Sequence, residues 1–374
     1  MARILIDALG WTEHPSGLST YCYCIMKELT KANVQLHFTV LHNVVNFKDK
    51  FLLELKNKNF TFIYLDKPLL SIQKELHFLF NKKYYSQFDL FYSMSSYAPV
   101  FQPNTKFLST THDLKYVEFP ELIGKWKSIL LSKIIKKTVM SADSLIMISN
   151  FTKNQVRRKF KIKSPVDVIY EGPSRFISAQ IESKSKLFNT TREPGPYFLS
   201  IAENRPHKNL ELMLRAFKIV VDREKIHGIK FVLVGSGVEN LRPVCEELEL
   251  EKNVLLAGKV SDMELRTLLA GAKSLVFPSL YEGFGIPLVD AMYFGVPIIT
   301  SNITSTCEIA KDVAILIDPR SKTELANAMS LLINDKKIWN ELSMASLKAS
   351  TKFDWQNCSN DILKIILNIL DKKL

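Results

Sequence analysis

The sequence lacks a run of about 18 apolar residues, so it predicts no membrane-spanning helix. The nearest segment, residues 362–370, is short and includes Lys364 and Asn368. Residues 1–7 have neither a long hydrophobic stretch nor a small-residue cleavage site, which predicts a first strand rather than a secretory signal. Cysteines are few, scattered and odd in number, which favours reduced thiols in the cytoplasm over a disulfide framework. They are Cys22, Cys24, Cys245, Cys307 and Cys358.

Motifs that bind metals or nucleic acids are also missing. No Asp-x-Asp sequence occurs, and no cluster of histidine and cysteine has metal-ligand spacing, so the sequence implies no divalent metal and no cofactor. No zinc-finger or RNP signature indicates a nucleic-acid partner. What is present is a chain of 374 residues, 47% apolar and 24% charged, as in a soluble globular enzyme. This length predicts two domains, and the composition excludes a disordered protein.

Positive charge is in excess and unevenly distributed. The net charge is +12; residues 1–180 hold 25 Lys and Arg against 14 Asp and Glu, whereas the remainder hold 25 against 24. Such an excess favours an anionic surface or partner. Residues 122–140 interleave apolar side chains with lysines, which predicts a basic amphipathic helix. Its lysines include Lys125, Lys127, Lys133, Lys136 and Lys137.

Three interpretations of this basic helix remain open. In the first, the helix packs on its own domain and its lysines lie in solvent. In the second, it docks on anionic lipid at the inner face of the cytoplasmic membrane, where each basic residue contributes about 1 kcal/mol. In the third, it binds nucleic acid, which the missing signatures disfavour.

Short β-branched runs alternate with amphipathic helical stretches along the chain. Strands are predicted at residues 3–9, 36–41, 60–65, 90–94, 106–111, 144–148, 197–201, 230–234, 254–257, 274–277, 297–301 and 314–317. This alternation predicts an α/β protein with two doubly wound, Rossmann-like parallel sheets. A polar segment at 176–196 predicts a linker between domains at 1–175 and 197–353. In such folds, ligands bind beyond the carboxyl ends of strands and in the cleft between domains.

The most informative segment spans residues 277–301, where a strand leads into a glycine-containing turn and then a helix that begins near Pro287. Glycines let a backbone approach a ligand closely, and free N–H groups at a helix start attract anions. Glu282 lies in the turn, and Asp290 is expected in the first turn of the helix. The two carboxylates beside an anion site suit a phosphate flanked by sugars. A plain tight turn, with Asp290 complementing the helix dipole, explains the pattern equally well.

This segment closely resembles the acidic signature of the family 4 glycosyltransferases, which are retaining enzymes of the GT-B fold. The matching residues are Tyr281, Glu282, Gly283, Phe284, Gly285, Pro287, Ala291, Gly295 and Pro297. The resemblance implies that Glu282 contacts the donor sugar and that the second acid contacts the nucleotide ribose. That second acid is Asp290, where the family usually has glutamate. The backbone amides of Phe284 and Gly285 would face the donor diphosphate, and Gly283 is a further donor-binding candidate.

Further donor contacts are implied in the second half of the chain. Residues 200–210 resemble the family's diphosphate-binding loop, in which Lys208 matches the lysine that neutralises the leaving diphosphate. Many members carry a basic residue five positions earlier; here that residue is Glu203, and Arg205 is the candidate instead. Gly235, in a Gly-x-Gly turn, would border the nucleotide. Lys259 and Val260 match the segment that meets the base.

The first half carries three implied site residues. Gly17 matches a glycine near the donor phosphates, and His112 with Asp113 matches the family's His-Asp, whose histidine faces the donor sugar. Glu171 stands where members often have asparagine, and no role is assigned to it. Ser149 is predicted as a helix N-cap. The last residues, about 354–374, resemble the family's C-terminal helix that returns to the first domain.

The resemblance therefore implies a metal-independent glycosyltransferase. Such an enzyme transfers a sugar from a nucleotide-diphosphate donor, UDP- or GDP-linked, to a hydroxyl of a glycan or lipid-linked acceptor held by the first domain. Retention would come from same-face attack, with the diphosphate as base. Surface-polysaccharide synthesis in a bacterium is the expected setting. Two alternatives remain: a nucleotide-sugar hydrolase or epimerase, and a non-catalytic basic protein that binds membrane.

Overall fold

The computed structural model describes residues 1–12, 16–32, 34–43, 59–182, 197–224 and 228–371. It divides the chain into two compact units. Unit 1 comprises Met1–Glu171 with Asp354–Leu374, and unit 2 comprises Gly172–Phe353. Each unit is built around its own parallel sheet, in keeping with two doubly wound α/β domains.

Unit 1 contains a seven-stranded sheet in the order β3-β2-β1-β4-β5-β6-β7. The strands are β1 (Ala2–Asp7), β2 (Leu36–His42), β3 (Phe60–Tyr64), β4 (Leu90–Ser93), β5 (Lys106–Thr111), β6 (Ser144–Met147) and β7 (Val166–Val168). Every pairing is parallel. The carboxyl ends of β4, β5 and β7 therefore lie on the same edge of the sheet.

Helices cover both faces of the unit 1 sheet. They are α1 (Gly17–Leu29), α2 (Ile72–Phe80), α3 (Lys82–Tyr85), α4 (Lys115–Glu118), α5 (Lys125–Ser141), α6 (Asn150–Lys159) and, from the C-terminal segment, α15 (Trp355–Asp371). One face forms a core with α1 and α15, and the other with α2, α5 and α6. The Ser149 side chain accepts a hydrogen bond from the Thr152 N–H, which confirms the predicted N-cap.

Unit 2 contains a six-stranded sheet in the order β10-β9-β8-β11-β12-β13, again parallel throughout. Its strands are β8 (Tyr197–Ile201), β9 (Lys230–Val234), β10 (Val254–Gly258), β11 (Ser274–Phe277), β12 (Ile298–Ser301) and β13 (Ala314–Ile317). Its helices are α7 (Arg175–Glu182), α8 (Leu210–Glu224), α9 (Arg242–Glu247), α10 (Asp262–Gly271), α11 (Ile286–Tyr293), α12 (Ser305–Ala310), α13 (Lys322–Asn334) and α14 (Lys336–Ser350). The direction in which successive strands are added to the sheet reverses between β8 and β11. Open α/β sheets bind ligands at such a reversal, beyond the carboxyl ends of the strands.

Two elements differ from the sequence prediction. Residues 176–182 of the expected linker belong to α7, and residues 183–196 lie outside the described residues. Strand β7 was not predicted, because its three residues include the polar Asp167 and are too short for a clear pattern.

Helix α5 buries only some of the apolar side chains that its sequence spacing places among the lysines. Its buried residues include Ser128, Leu131 and Ile135, whereas Trp126 is 86% exposed and Leu130 is 58% exposed. The interleaved apolar residues therefore do not all serve the core of unit 1. Within the part of the chain that the structure describes, no helix is both long and apolar enough to cross a membrane.

Candidate functional site

In unit 2, two neighbouring strands bring a lysine and a glutamate together. The loop after β8 carries Lys208, and the loop after β11 carries Glu282; β8 and β11 are paired in the sheet. Lys208 Nζ lies 2.5 Å from Glu282 Oε1, and the two side chains are 20% and 13% exposed. The ammonium group also lies 5.1 Å from the centre of the Phe277 ring. The pair is thus a charge-assisted contact that solvent and ligands can reach.

Asn209 joins the two loops. Its backbone is left-handed, with φ of 65°, a conformation that asparagine tolerates better than most residues. Its side-chain amide donates to the carbonyls of Pro278, at 3.1 Å, and Pro319, at 2.6 Å. The N–H of Leu280 donates to the carbonyl of His207 at 2.8 Å. Lys208 is therefore held between two anchored residues.

The glycine-rich turn after Glu282 is held by the first residue of α12. The Ser305 hydroxyl contacts the carbonyls of Glu282 and Phe284 at 2.9 and 3.0 Å. Gly285 has φ of 114°, which strongly favours glycine, and it caps the start of α11. Phe284 is 3% exposed and packs edge-on against Phe353. The turn is thus rigid around the Glu282 carboxylate.

The sequence predicted Asp290 in the first turn of its helix, and this prediction is wrong. Helix α11 begins at Ile286, so Asp290 lies in the second turn. It is 4% exposed, and its Oδ1 accepts a hydrogen bond from the Ser174 N–H at 2.8 Å. Burial raises the pKa of Asp290 to about 7, although the contacts with Ser174 lower it. Its carboxylate is directed to the backbone of unit 2, and its ribose contact stays a prediction.

The remaining candidates in unit 2 surround these loops. Arg205 pairs with Glu203 at 3.4 Å, and both side chains are about 60% exposed. Gly235 has φ of 143°, and a Cβ there would lie 2.1 Å from the carbonyl oxygen of Ala202, so only glycine fits. Beyond β10, Lys259 is exposed and Val260 is half-buried. Their donor contacts stay predictions.

In unit 1, His112 follows β5 and engages both of its ring nitrogens. Nε2 lies 2.9 Å from the Met94 carbonyl, after β4, and Nδ1 lies 3.1 Å from Glu171 Oε1, beyond β7. The side chains of His112 and Glu171 are 16% and 3% exposed. Burial lowers the pKa of His112, but Glu171, together with the Met94 carbonyl and Asp113, outweighs burial and raises it.

The other two candidates in unit 1 have local roles. Asp113 Oδ1 accepts a hydrogen bond from the Lys115 N–H at 2.9 Å, which supports the turn before α4. Gly17 is the first residue of α1, and a Cβ there would meet nothing within 4 Å. Residues 13–15, which precede it, lie outside the described residues.

Sequence reasoning missed Glu171 and Asn209 as members of these sites. For Asn209, the signal was an asparagine in a loop between a strand and a helix; it ends the short 3-10 turn Pro206–Lys208, and such a C-terminal cap favours left-handed backbone. For Glu171, the signal was its departure from the family pattern. Among the described residues, no group of three or more His, Cys, Asp or Glu could hold a metal ion.

Comparison with protein families places the chain among the glycosyltransferases. Residues 15–173 match the model described as Glycosyltransferase Family 4, and residues 182–349 match Glycosyl transferases group 1. Together with the two parallel-sheet units, these matches show that the chain is a family 4 type glycosyltransferase with the GT-B fold.

Individual proteins are similar over much of the chain. The O-antigen chain mannosyltransferase B of Escherichia coli is 26% identical over 276 residues, which cover 68% of each chain. The structure of sucrose-phosphate synthase from Thermosynechococcus elongatus matches with a TM-score of 0.77 and 18% identity, covering 100% of both chains. Anabaena Alr3699/HepE, solved in complex with UDP and glucose, matches with a TM-score of 0.73 and 18% identity, covering 98% of this chain and 100% of HepE.

Proposed function

We propose that this protein transfers a sugar from a nucleotide-diphosphate sugar to a hydroxyl of a glycan or lipid-linked acceptor in surface-polysaccharide synthesis. The observation that supports this proposal most directly is the contact between Lys208 and Glu282, in the loops that follow β8 and β11. It provides one cation for a leaving diphosphate and one carboxylate for sugar hydroxyls. The E. coli relative, an O-antigen chain mannosyltransferase, supports both the setting and mannose as the transferred sugar.

The proposed reaction breaks the bond between the anomeric carbon and the diphosphate and forms one to the acceptor oxygen. Family membership supports retention, with the hydroxyl attacking the face that the diphosphate leaves and a diphosphate oxygen taking its proton. Lys208 stabilises the departing charge, which is the main electrostatic task in such a transfer. Glu282 orients the sugar, and His112 is a further catalytic candidate that the family resemblance implies. No Asp-x-Asp sequence is present, so we propose that no divalent metal is needed.

Thermal unfolding in EDTA with UDP, GDP, ADP, dTDP and CMP tests the donor site. A nucleotide at about 100 times its dissociation constant adds about 2.7 kcal/mol to stability, which a melting scan detects. HepE was solved with UDP, and we propose UDP or GDP for this chain. A shift by one of these two identifies the base. If none of the five nucleotides raises the melting temperature of the wild type above that of the ligand-free protein, and Lys208→Ala behaves in the same way, the donor-site proposal is wrong.

Transfer is tested with GDP-mannose and UDP-glucose, each with and without an alkyl mannoside. We expect the sugar to leave the nucleotide at least about tenfold faster when the mannoside is present, because a closed transferase site limits hydrolysis. A new glycoside with the anomeric configuration of the donor supports retention. Release of free sugar at equal rates without acceptor would instead indicate a hydrolase.

A membrane surface on unit 1 is the second part of the proposal. Helix α5 exposes its lysines beside Trp126, Ile129 and Leu130. The Lys137 ammonium donates to the Val100 carbonyl, and the Val100 N–H donates to Glu75 on α2, so α2 and α5 flank one surface. Helix α2 adds Ile72 and Phe80, which are 78% and 79% exposed. Exposed aromatic and aliphatic groups among lysines suit an anionic lipid surface.

Vesicle flotation tests this surface. The wild type should float with vesicles that contain phosphatidylglycerol and much less with phosphatidylcholine alone. Charge reversal at Lys133, Lys136 and Lys137 should abolish the difference, and Trp126→Ser should weaken flotation. The control reverses three exposed lysines of unit 2, Lys252, Lys311 and Lys322. Equal flotation of both triple variants would contradict docking through α5.

A further inference from the structure

Glu171 is the charged partner of His112, and nothing in the reaction outlined above uses it. A carbonyl oxygen only accepts hydrogen bonds, so the contact of 2.9 Å with Met94 requires a proton on Nε2 of His112. Nδ1 then faces Glu171 Oε1 at 3.1 Å. This second contact needs one further proton, which lies either on Nδ1 or on the carboxyl group. The pair therefore holds a proton that a histidine beside a neutral amide would not hold.

The surroundings hold the ring in one orientation. Tyr21 on α1 packs edge-on to His112, with ring centres 4.7 Å apart. The Tyr21 hydroxyl lies 2.8 Å from that of Tyr92 and 3.0 Å from that of Thr110, and all three residues are buried. The Thr152 hydroxyl donates to the backbone carbonyl of His112 at 3.1 Å. A ring fixed in this way offers no free nitrogen lone pair to a ligand.

The other titratable groups near the pair do not replace Glu171. Asp113, beside His112 in the chain, acts on it through space. The Cys358 thiol on α15 is buried, which raises its pKa, and nearby Glu171 raises it further, so the thiol stays neutral. Burial likewise raises the pKa of the Tyr21 hydroxyl. Glu171 is thus the charged group in direct contact with the imidazole.

We propose that Glu171 is a positioning residue that keeps His112 protonated on both ring nitrogens, so that His112 presents a fixed positive charge and not a base. The inference rests on the proposed function in assigning His112 to the donor sugar and its diphosphate. A neutral amide in place of Glu171 would offer no carboxylate to hold the second proton. The carboxylate of Glu171 is therefore what makes His112 a cation in this chain.

The direct test is nitrogen NMR of the protein labelled at histidine, with His112 assigned from the spectrum of His112→Gln. We expect wild-type His112 to keep two protonated ring nitrogens to a higher pH than a free histidine does, because its pKa is raised. In Glu171→Gln, its proton affinity should fall at least about tenfold, so the neutral ring should become dominant at a correspondingly lower pH. Glu121→Gln, which removes an exposed carboxylate of unit 1, should leave the His112 signals unchanged.

The pH profile of transfer supplies the second readout. We expect the kcat of Glu171→Gln to be close to that of the wild type at pH 6, where protonation restores the cation. As the pH rises from 6 to 8, the kcat of the variant should fall about tenfold relative to that of the wild type. Glu171→Asp should retain an intermediate profile. A neutral His112 in the wild type at pH 7 would overturn the proposal, even if Glu171→Gln fails to fold. Because the NMR measurement needs no substrate, it stands apart from failure of the transfer activity.

Discussion

The two units each hold an acid–base pair at the carboxyl edge of a parallel sheet, but the pairs differ in how fully they are enclosed. His112 and Glu171 in unit 1 are 16% and 3% exposed, and both imidazole nitrogens have partners. Lys208 and Glu282 in unit 2 are 20% and 13% exposed and meet through one contact. A lysine ammonium has three N–H donors, so it can bind an anion as well as, or in place of, its glutamate.

This difference separates a fixed charge from an exchangeable one. The imidazole of unit 1 is held by buried groups on several elements, so a ligand meets it already oriented. The ammonium of unit 2 contacts Glu282 in the free protein, and we propose that it becomes available when a diphosphate competes for it. Preorganised charge costs little reorganisation during reaction, whereas an exchangeable pair couples ligand binding to loop contacts.

Lys208→Ala should give the largest effect and would break the unit 2 pair. We expect transfer to fall at least about hundredfold, as when one preorganised charge donor is removed from a reaction centre. Initial rates with the identified donor measure this loss. Lys218→Ala is the control, since Lys218 forms an ion pair with Asp222 on α8. An equal loss in both variants would contradict a specific role for Lys208.

Glu282→Gln should change binding and reaction in opposite directions. Without the carboxylate, Lys208 is free for anions, so the nucleoside diphosphate should bind about three- to tenfold more tightly. Transfer should nevertheless fall about tenfold or more, because the sugar loses a charged acceptor of its hydroxyl hydrogen bonds. Calorimetry with the diphosphate and initial rates measure the two effects. Weaker diphosphate binding would show that the pair does not compete with the ligand.

Asn209→Ala should loosen the unit 2 pair without touching its charges. The variant loses two side-chain hydrogen bonds and places alanine in left-handed backbone, so we expect unfolding by urea to require about 2–3 kcal/mol less free energy. Transfer should fall severalfold. Asn209→Gly is the matched control, because glycine accepts the φ of 65° and loses only the side-chain bonds. Identical stabilities of the two variants would exclude a backbone contribution.

Asp290→Asn extends the comparison to a buried carboxylate with a backbone N–H, but no cation, as its hydrogen-bond partner. Its pKa is raised to about 7, so between about pH 4 and pH 7 the folded state binds a proton that the unfolded state has released. Wild-type stability should therefore fall with rising pH, by an amount on the order of 4 kcal/mol, relative to Asp290→Asn.

Urea unfolding of both proteins across this pH range measures the difference. Asp312→Asn, which changes an exposed aspartate of unit 2, should show the wild-type dependence. If the wild type and Asp290→Asn vary in parallel, then Asp290 is ionised at low pH like an exposed aspartate.

Much of the fold followed from local pattern. Strands at Tyr197–Ile201, Lys230–Val234 and Ser274–Phe277 have the predicted bounds, because buried parallel strands are largely apolar runs between turns. The apolar residues of α5 were harder to interpret. Helical spacing showed an amphipathic segment, but the burial of Ile135 and the exposure of Trp126 depend on how the helix is rotated against its sheet.

The sequence by itself determined the two parallel-sheet domains, the family, and the candidate residues Lys208, Glu282 and His112. Only the tertiary structure decided their partners. His112 and Glu171 are 59 residues apart in the chain, and Lys208 and Glu282 are 74 apart. Such pairs depend on strand order and on which loops share a sheet edge, and these follow from the packing of whole elements. Local propensity carries no information about that long-range geometry, so the contact of His112 with Glu171 and the pairing of Lys208 with Glu282 became visible only in the folded chain.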